Sequence, residues 1–137
     1  MATTTALITI SSSDLLSDEL AVTTTSTLTQ TTTATGIEHT TGLARKTVTS
    51  TAKGTASGQV TLYTADDFAA IAYLYIKNTD ATATDYVYVY KDGGTDNLLK
   101  LAGGDFAFLP LIADDTLKAW ATTSGTVVEW MVIGTDQ

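Results

Sequence analysis

Ile71-Ala72-Tyr73-Leu74-Tyr75-Ile76 running into Lys77-Asn78-Thr79-Asp80, and Tyr86-Val87-Tyr88-Val89-Tyr90 running into Asp92-Gly93-Gly94, are the passages that decide the fold. Each is a short β-branched and aromatic run stopped by Asn, Asp or Gly, the pattern of a strand entering a turn. It recurs downstream. Phe106-Ala107-Phe108-Leu109 ends at Pro110, and Val127-Val128-Glu129-Trp130-Met131-Val132-Ile133 ends at Gly134. Residues 60–137 therefore read as an antiparallel β-sandwich or barrel.

Within these runs the alternation assigns faces, because successive strand side chains point to opposite sides. Val87 and Val89 are expected to face the core, leaving Tyr86, Tyr88 and Tyr90 to cover a flank, a second sheet or a partner. Leu117, Ala119 and Ala121 alternate with Lys118, Trp120 and Thr122. The last run is apolar on both faces apart from Glu129, which predicts a central strand or one covered by a subunit.

Upstream the material changes. Thr3-Thr4-Thr5, Thr23-Thr24-Thr25 and Thr31-Thr32-Thr33 lie in a stretch with no Phe, Tyr or Trp before Tyr63. Threonine favours extended backbone but carries a hydroxyl, so such strands pair readily and bury little. Residues 1–59 thus read as an extended Thr-rich N-terminal arm or a set of edge strands. Their low charge and proline content argues against plain disorder. Ala6-Leu7-Ile8-Thr9-Ile10 predicts a first strand, and residues 13–20 a short helical turn capped by Ser13 or Asp14. Extended segments are expected from Leu20 through Leu28, around Ile37-Glu38-His39, over Leu43 to Val48, and at Gln59 to Tyr63.

A chain of 137 residues and 14.4 kDa is about one domain long and can build a core without staples. It has no cysteine, hence no disulfide or thiolate site. Met1-Ala2-Thr3-Thr4-Thr5 lacks the basic and apolar regions of a signal peptide, and no apolar run approaches a membrane span, so the expectation is a soluble protein made in the cytoplasm. The net charge of −8 is uneven, with −1 on residues 1–60 and −7 on residues 61–137. An acidic surface without a basic stripe repels phosphate backbones, which argues against nucleic-acid binding.

Catalytic chemistry finds few footholds. His39 is the only histidine, and its neighbours Glu38 and Thr40 fit a surface or interface polar group better than an oriented base. Asp66-Asp67, Asp114-Asp115 and the loop Asp92-Gly93-Gly94-Thr95-Asp96-Asn97 hold paired acids. Calcium takes six to eight oxygens, and the Asp92 loop would contribute only some of them, at a spacing unlike that of an EF-hand. Asp, Asn and Gly are also what turns require. Nothing separates these carboxylates from hairpin chemistry, so neither a glycoside hydrolase nor any other enzyme is expected, and no cofactor. Trp120 and Trp130 invite a sugar-stacking reading, although tryptophan in an alternating strand usually belongs to a core or interface.

From Tyr73 onward, Ile76-Lys77-Asn78-Thr79-Asp80, the tyrosine–valine strand, Gly104-Asp105-Phe106-Ala107-Phe108-Leu109-Pro110-Leu111, Leu117-Lys118-Ala119-Trp120-Ala121 and Val128-Glu129-Trp130-Met131-Val132 follow one another in a recognisable order. This order resembles small virion structural proteins of tailed bacteriophages, over roughly the second half of the chain. The resemblance implies a jelly-roll-like β-sandwich on a capsid surface. Such a protein would be a head decoration (cement) protein contacting the major capsid protein and itself, with trimer favoured over dimer, or alternatively a tail fibre or knob component binding a host glycan or receptor. It transfers no catalytic residues. On either reading the expected contacts are Leu7, Ile8 and Ile10 in the arm and Tyr86, Tyr88 and Tyr90 on the sandwich, with strand pairing through the arm and avidity across a symmetric shell.

Overall fold

A computed structural model describes residues 4–13, 20–28, 37, 39–54, 57–65, 67–68, 71–112 and 115–135. The described chain is all-β, and its sheets are antiparallel. It divides into two units, residues 1–38 and 39–137. The boundary lies earlier than the sequence suggested. His39–Thr40 (β3) and Ala44–Val48 (β4) both pair with the last strand and so belong to the sandwich rather than to the arm. The expected helical turn over residues 13–20 falls largely on residues 14–19, outside the described residues.

Unit 1 is a hairpin of β1 (Thr4–Ser12) and β2 (Leu20–Leu28), paired from Thr4↔Leu28 to Ser12↔Leu20. Thr4 Oγ1 donates to the Ile37 carbonyl at 3.4 Å, and the Ile37 N–H donates to the Leu28 carbonyl at 3.4 Å.

Unit 2 is a β-sandwich. One sheet runs β5 (Val60–Tyr63), β10 (Leu117–Ala121), β7 (Val87–Lys91), β8 (Asn97–Leu101). The other runs β3, β11 (Thr126–Gly134), β6 (Ile71–Asn78), β9 (Phe106–Ile112), with β4 also pairing with β11. Val60, Leu62, Val87, Val89, Leu117, Ala119 and Ala121 from the first sheet meet Val48, Leu74, Ile76, Val128, Trp130 and Val132 from the second. The two-residue alternation delivers these side chains to one side of each strand, and β11 is central, as its double-sided apolarity requires. The Trp130 indole N–H crosses between sheets to the Leu62 carbonyl at 2.8 Å.

Pro110 does not end its strand. β9 continues to Ile112 because it is an edge strand, where every other N–H has no ladder partner and proline forfeits no bond. The Asp92-Gly93-Gly94 turn joins β7 to β8, and Gly93 takes φ +74°, a conformation open to glycine at little cost.

The loop after β6 is latched by Asn78, which is fully buried. Its Nδ2 donates to the Asp85 carbonyl at 2.6 Å and the Leu101 carbonyl at 3.2 Å, and its Oδ1 accepts from the Asp80 N–H at 3.1 Å. Gly103 packs flush against this loop. A Cβ there would run into the Thr82 carbonyl oxygen and lie 3.0 Å from that of Asp80. Gly103→Ala is expected to destabilise by about 1–3 kcal/mol through overpacking, read as a lowered thermal midpoint. A midpoint equal to that of the unsubstituted chain would show that the loop yields freely.

Candidate functional site

Register turns the hairpin into two unlike faces. Ala6, Ile8 and Ile10 share a side with Val22 and Leu28, while Leu7 stands on the other among Thr5, Thr9, Thr23, Thr25 and Thr27. Leu28 is buried, but towards the far end Ile8 (45 % exposed), Ile10 (55 %) and Val22 (43 %) lie open, as does Leu7 (66 %). No charged residue occurs in either strand; Asp14, Asp18 and Glu19 belong to the connection. A solitary two-stranded ribbon is marginal in water, and an uncharged ribbon with open edges readily accepts another strand or sheet.

On the outer side of the four-stranded sheet, Tyr88 and Trp120 are cross-strand partners whose rings stack at 4.5 Å and 9°. Tyr86 lies 6.4 Å from Tyr88, and Lys100 Nζ caps the Tyr86 ring at 3.8 Å. The Trp120 indole N–H donates to Asn97 Oδ1 at 3.3 Å. Rings stacked on each other offer less open π-face than a pyranose platform needs, and the group forms a half-buried aromatic ladder instead. Tyr90 leaves this group. It is 2 % exposed, its hydroxyl meets Gln59 Oε1 at 2.5 Å, and Lys53 Nζ lies 5.0 Å from its ring centre, so it is out of a partner's reach. Trp130 is likewise a core residue.

Three of the candidate acids, Asp67, Asp92 and Asp115, are engaged in structure. Asp92 Oδ2 pairs with Lys118 Nζ at 2.7 Å, Asp115 Oδ1 with Lys91 Nζ at 2.5 Å, and Asp67 Oδ2 accepts the Thr64 N–H at 2.8 Å. Asp66 and Asp114 fall outside the described residues. His39 sets its ring edge-on to Phe68 at 5.1 Å. The hydrogen bond to Asp92 holds the Lys118 ammonium above its ordinary 10.5, with burial opposing, and burial followed by the Glu129 charge pushes Tyr75 above 10.0. Both groups hold their protons more tightly when folded. Their stabilisation is complete below those ordinary values and is lost as pH rises through the folded ones. The melting temperature should therefore stay level from neutral pH to about 10 and fall beyond it, with a shallower fall in Lys118→Met.

Sequence reasoning missed two features. The outer side of the five-stranded sheet is rich in half-exposed apolar residues: Tyr73 stacks on Phe108 at 5.7 Å and 9°, beside Met131 and Ile133, with Phe106 exposed. Its charges cluster at one end, where Arg45 Nε meets Glu129 Oε2 at 3.2 Å beside Lys77. The second feature is an open cleft of about 320 Å³ at one end of the sandwich, lined by Tyr63, Leu98, Leu109, Leu111, Leu117 and Asp115. Both β-bulges of the four-stranded sheet fall here. Leu117 pairs with Tyr63 and Lys118 with Thr61, leaving Leu62 extra; Tyr90 pairs with Asn97 and Val89 with Leu99, leaving Leu98 extra. Bulges re-aim side chains at sheet margins, and Leu98 stands 54 % exposed.

These features define a class: an all-β sandwich accompanied by a separate uncharged, Thr-rich hairpin. No family model matches the chain, nor does any curated protein or solved structure.

Proposed function

We propose that this chain is a structural assembly protein of the capsid decoration type, which binds the outer surface of a tailed-phage head and bridges neighbouring major capsid proteins. The observation that carries the reading is the uncharged hairpin, whose Ile8, Ile10 and Val22 are held out to solvent on one face. Such a face is costly to leave wet and stabilises whatever covers it. The aromatic ladder of Tyr86, Tyr88 and Trp120 supplies a second, stiffer surface suited to broad contact. Shell geometry multiplies such contacts, so each need only be modest. The sandwich acts as the rigid body and the hairpin as the contact element; no reaction is involved.

The test is co-sedimentation of the purified protein with undecorated heads, read as bound copies per major capsid subunit. Saturation at a fixed simple ratio is expected, and Ile8→Glu/Ile10→Glu should reduce binding at least about tenfold, since a carboxylate has no place in an apolar contact. Absence of binding to heads, with binding to tails or to a surface glycan, would replace this reading with a fibre or knob component.

A further inference from the structure

We infer that the apolar cleft at the end of the sandwich receives the hairpin of a second copy of this chain, joining copies head to tail. The inference rests on reading the hairpin as a contact element and adds its socket. Three observations converge on it.

The cleft is apolar and electrically quiet. Tyr63, Leu98, Leu109, Leu111 and Leu117 line it, and its one carboxylate, Asp115, is held by Lys91 at 2.5 Å. Two bulges of the four-stranded sheet fall at this end, and the residue that one of them leaves over is Leu98, exposed at the rim. The complementary element is carried by the same chain: an uncharged ribbon with Leu7, Ile8, Ile10 and Val22 exposed and both outer edges unpaired among the described strands. An aliphatic, uncharged strand is what this socket accepts without stranding a charge.

Charge matching favours a second copy over a foreign basic partner. The chain as a whole is at −8, yet β1 and β2 carry no charged residue, and among the described residues the carboxylate lining the cleft, Asp115, is paired with Lys91. Two copies meeting through these surfaces bring together neutral patches on mutually repelling bodies. Association should therefore strengthen as salt screens the repulsion, the reverse of a charge-steered contact. The β1–β2 hairpin and the cleft are different surfaces, so a contact between them is heterologous and closes into a ring or propagates.

The experiment is sedimentation velocity on the full chain over a range of concentration and salt, without any particle, so that its failure leaves the head-binding reading to its own assay. The unsubstituted chain should assemble, more tightly at high salt. Ile8→Glu/Ile10→Glu and Leu98→Glu should each be monomeric, and Leu98→Gln, milder on the fold, should weaken assembly. A one-to-one mixture of the two Glu variants retains one intact hairpin and one intact cleft, and heterodimers should form. Assembly by either folded Glu variant alone, or a mixture that stays monomeric, overturns the proposal. So does an unsubstituted chain that is monomeric at every concentration.

Discussion

Asn78→Ala should lower the unfolding free energy by about 3–5 kcal/mol, a large share of the roughly 5–15 kcal/mol that domains commonly have. The side chain is fully buried and satisfies three backbone groups: the carbonyls of Asp85 and Leu101 and the N–H of Asp80. Truncation removes every one of those partners at once. The Leu101 carbonyl suffers most, because its residue is buried and each orphaned buried group costs about 1–3 kcal/mol. Geometry compounds the loss. Asn78 stands at the end of β6 in one sheet and Leu101 at the end of β8 in the other, so the amide is also a tie across the sandwich. Its backbone N–H and carbonyl are bonded to Asp105 and Gly104, at 2.9 and 3.0 Å. The loop 79–85 and the turn 102–105 are thus organised around one residue. In chemical denaturation the midpoint should drop with the slope unchanged. Asn78→Asp, which keeps the acceptor for Asp80 but loses both donors, should fall nearly as far. A loss below about 1 kcal/mol for Asn78→Ala would mean that water replaces the amide and that the latch is not structural.

How far the sequence foretold this arrangement can be judged residue by residue. Val87 and Val89 were legible as core because a two-residue period admits only two faces, and the Leu117, Ala119 and Ala121 face is likewise uniformly apolar; in β11, apolar on both faces apart from Glu129, the alternation did not single out Val128 and Val132. Tyr90 was not. Its place in the alternation matches that of Tyr86 and Tyr88, but Gln59 and Lys53, from the segment leading into β5, close over it. Which distant loop covers a strand end is a tertiary fact. Pro110 was misread because proline forbids a central strand and permits an edge one, and edge status follows from strand order. Leu7, Ile8 and Ile10 were identifiable as unburied aliphatics in a polar stretch, and the two-residue period already sets Leu7 opposite Ile8 and Ile10, yet only the register with β2 puts Val22 beside Ile10. The cleft was invisible, since its lining comes from β5, β8, β9, β10 and Asp115 ahead of β10, brought together at an end where two bulges fall that no sequence period announces.

Trp130→Ala is expected to cost about 4–6 kcal/mol, and the comparison with Trp130→Phe shows where that energy resides. The indole sits on the inner face of β11, opposite Ala44 on one side and Ile76 on the other, and is 8 % exposed. Deleting it opens a cavity between the sheets, which alone costs about 3–5 kcal/mol. It also orphans the Leu62 carbonyl, which now accepts the indole N–H at 2.8 Å. Phenylalanine restores most of the volume but no donor, so its cost should approach the hydrogen-bond share alone, about 1–3 kcal/mol. Equal losses in the two variants would show that the bond to the Leu62 carbonyl, and not the filled volume, carries the cost. Trp120 is the only other tryptophan, so emission from Trp130→Phe reports solely on the Tyr88–Trp120 stack of the outer ladder. If the sandwich holds together as a unit, that emission should melt at the same reduced midpoint as the far-ultraviolet signal. Separate midpoints would show that the four-stranded sheet persists after its tie to β11 is cut.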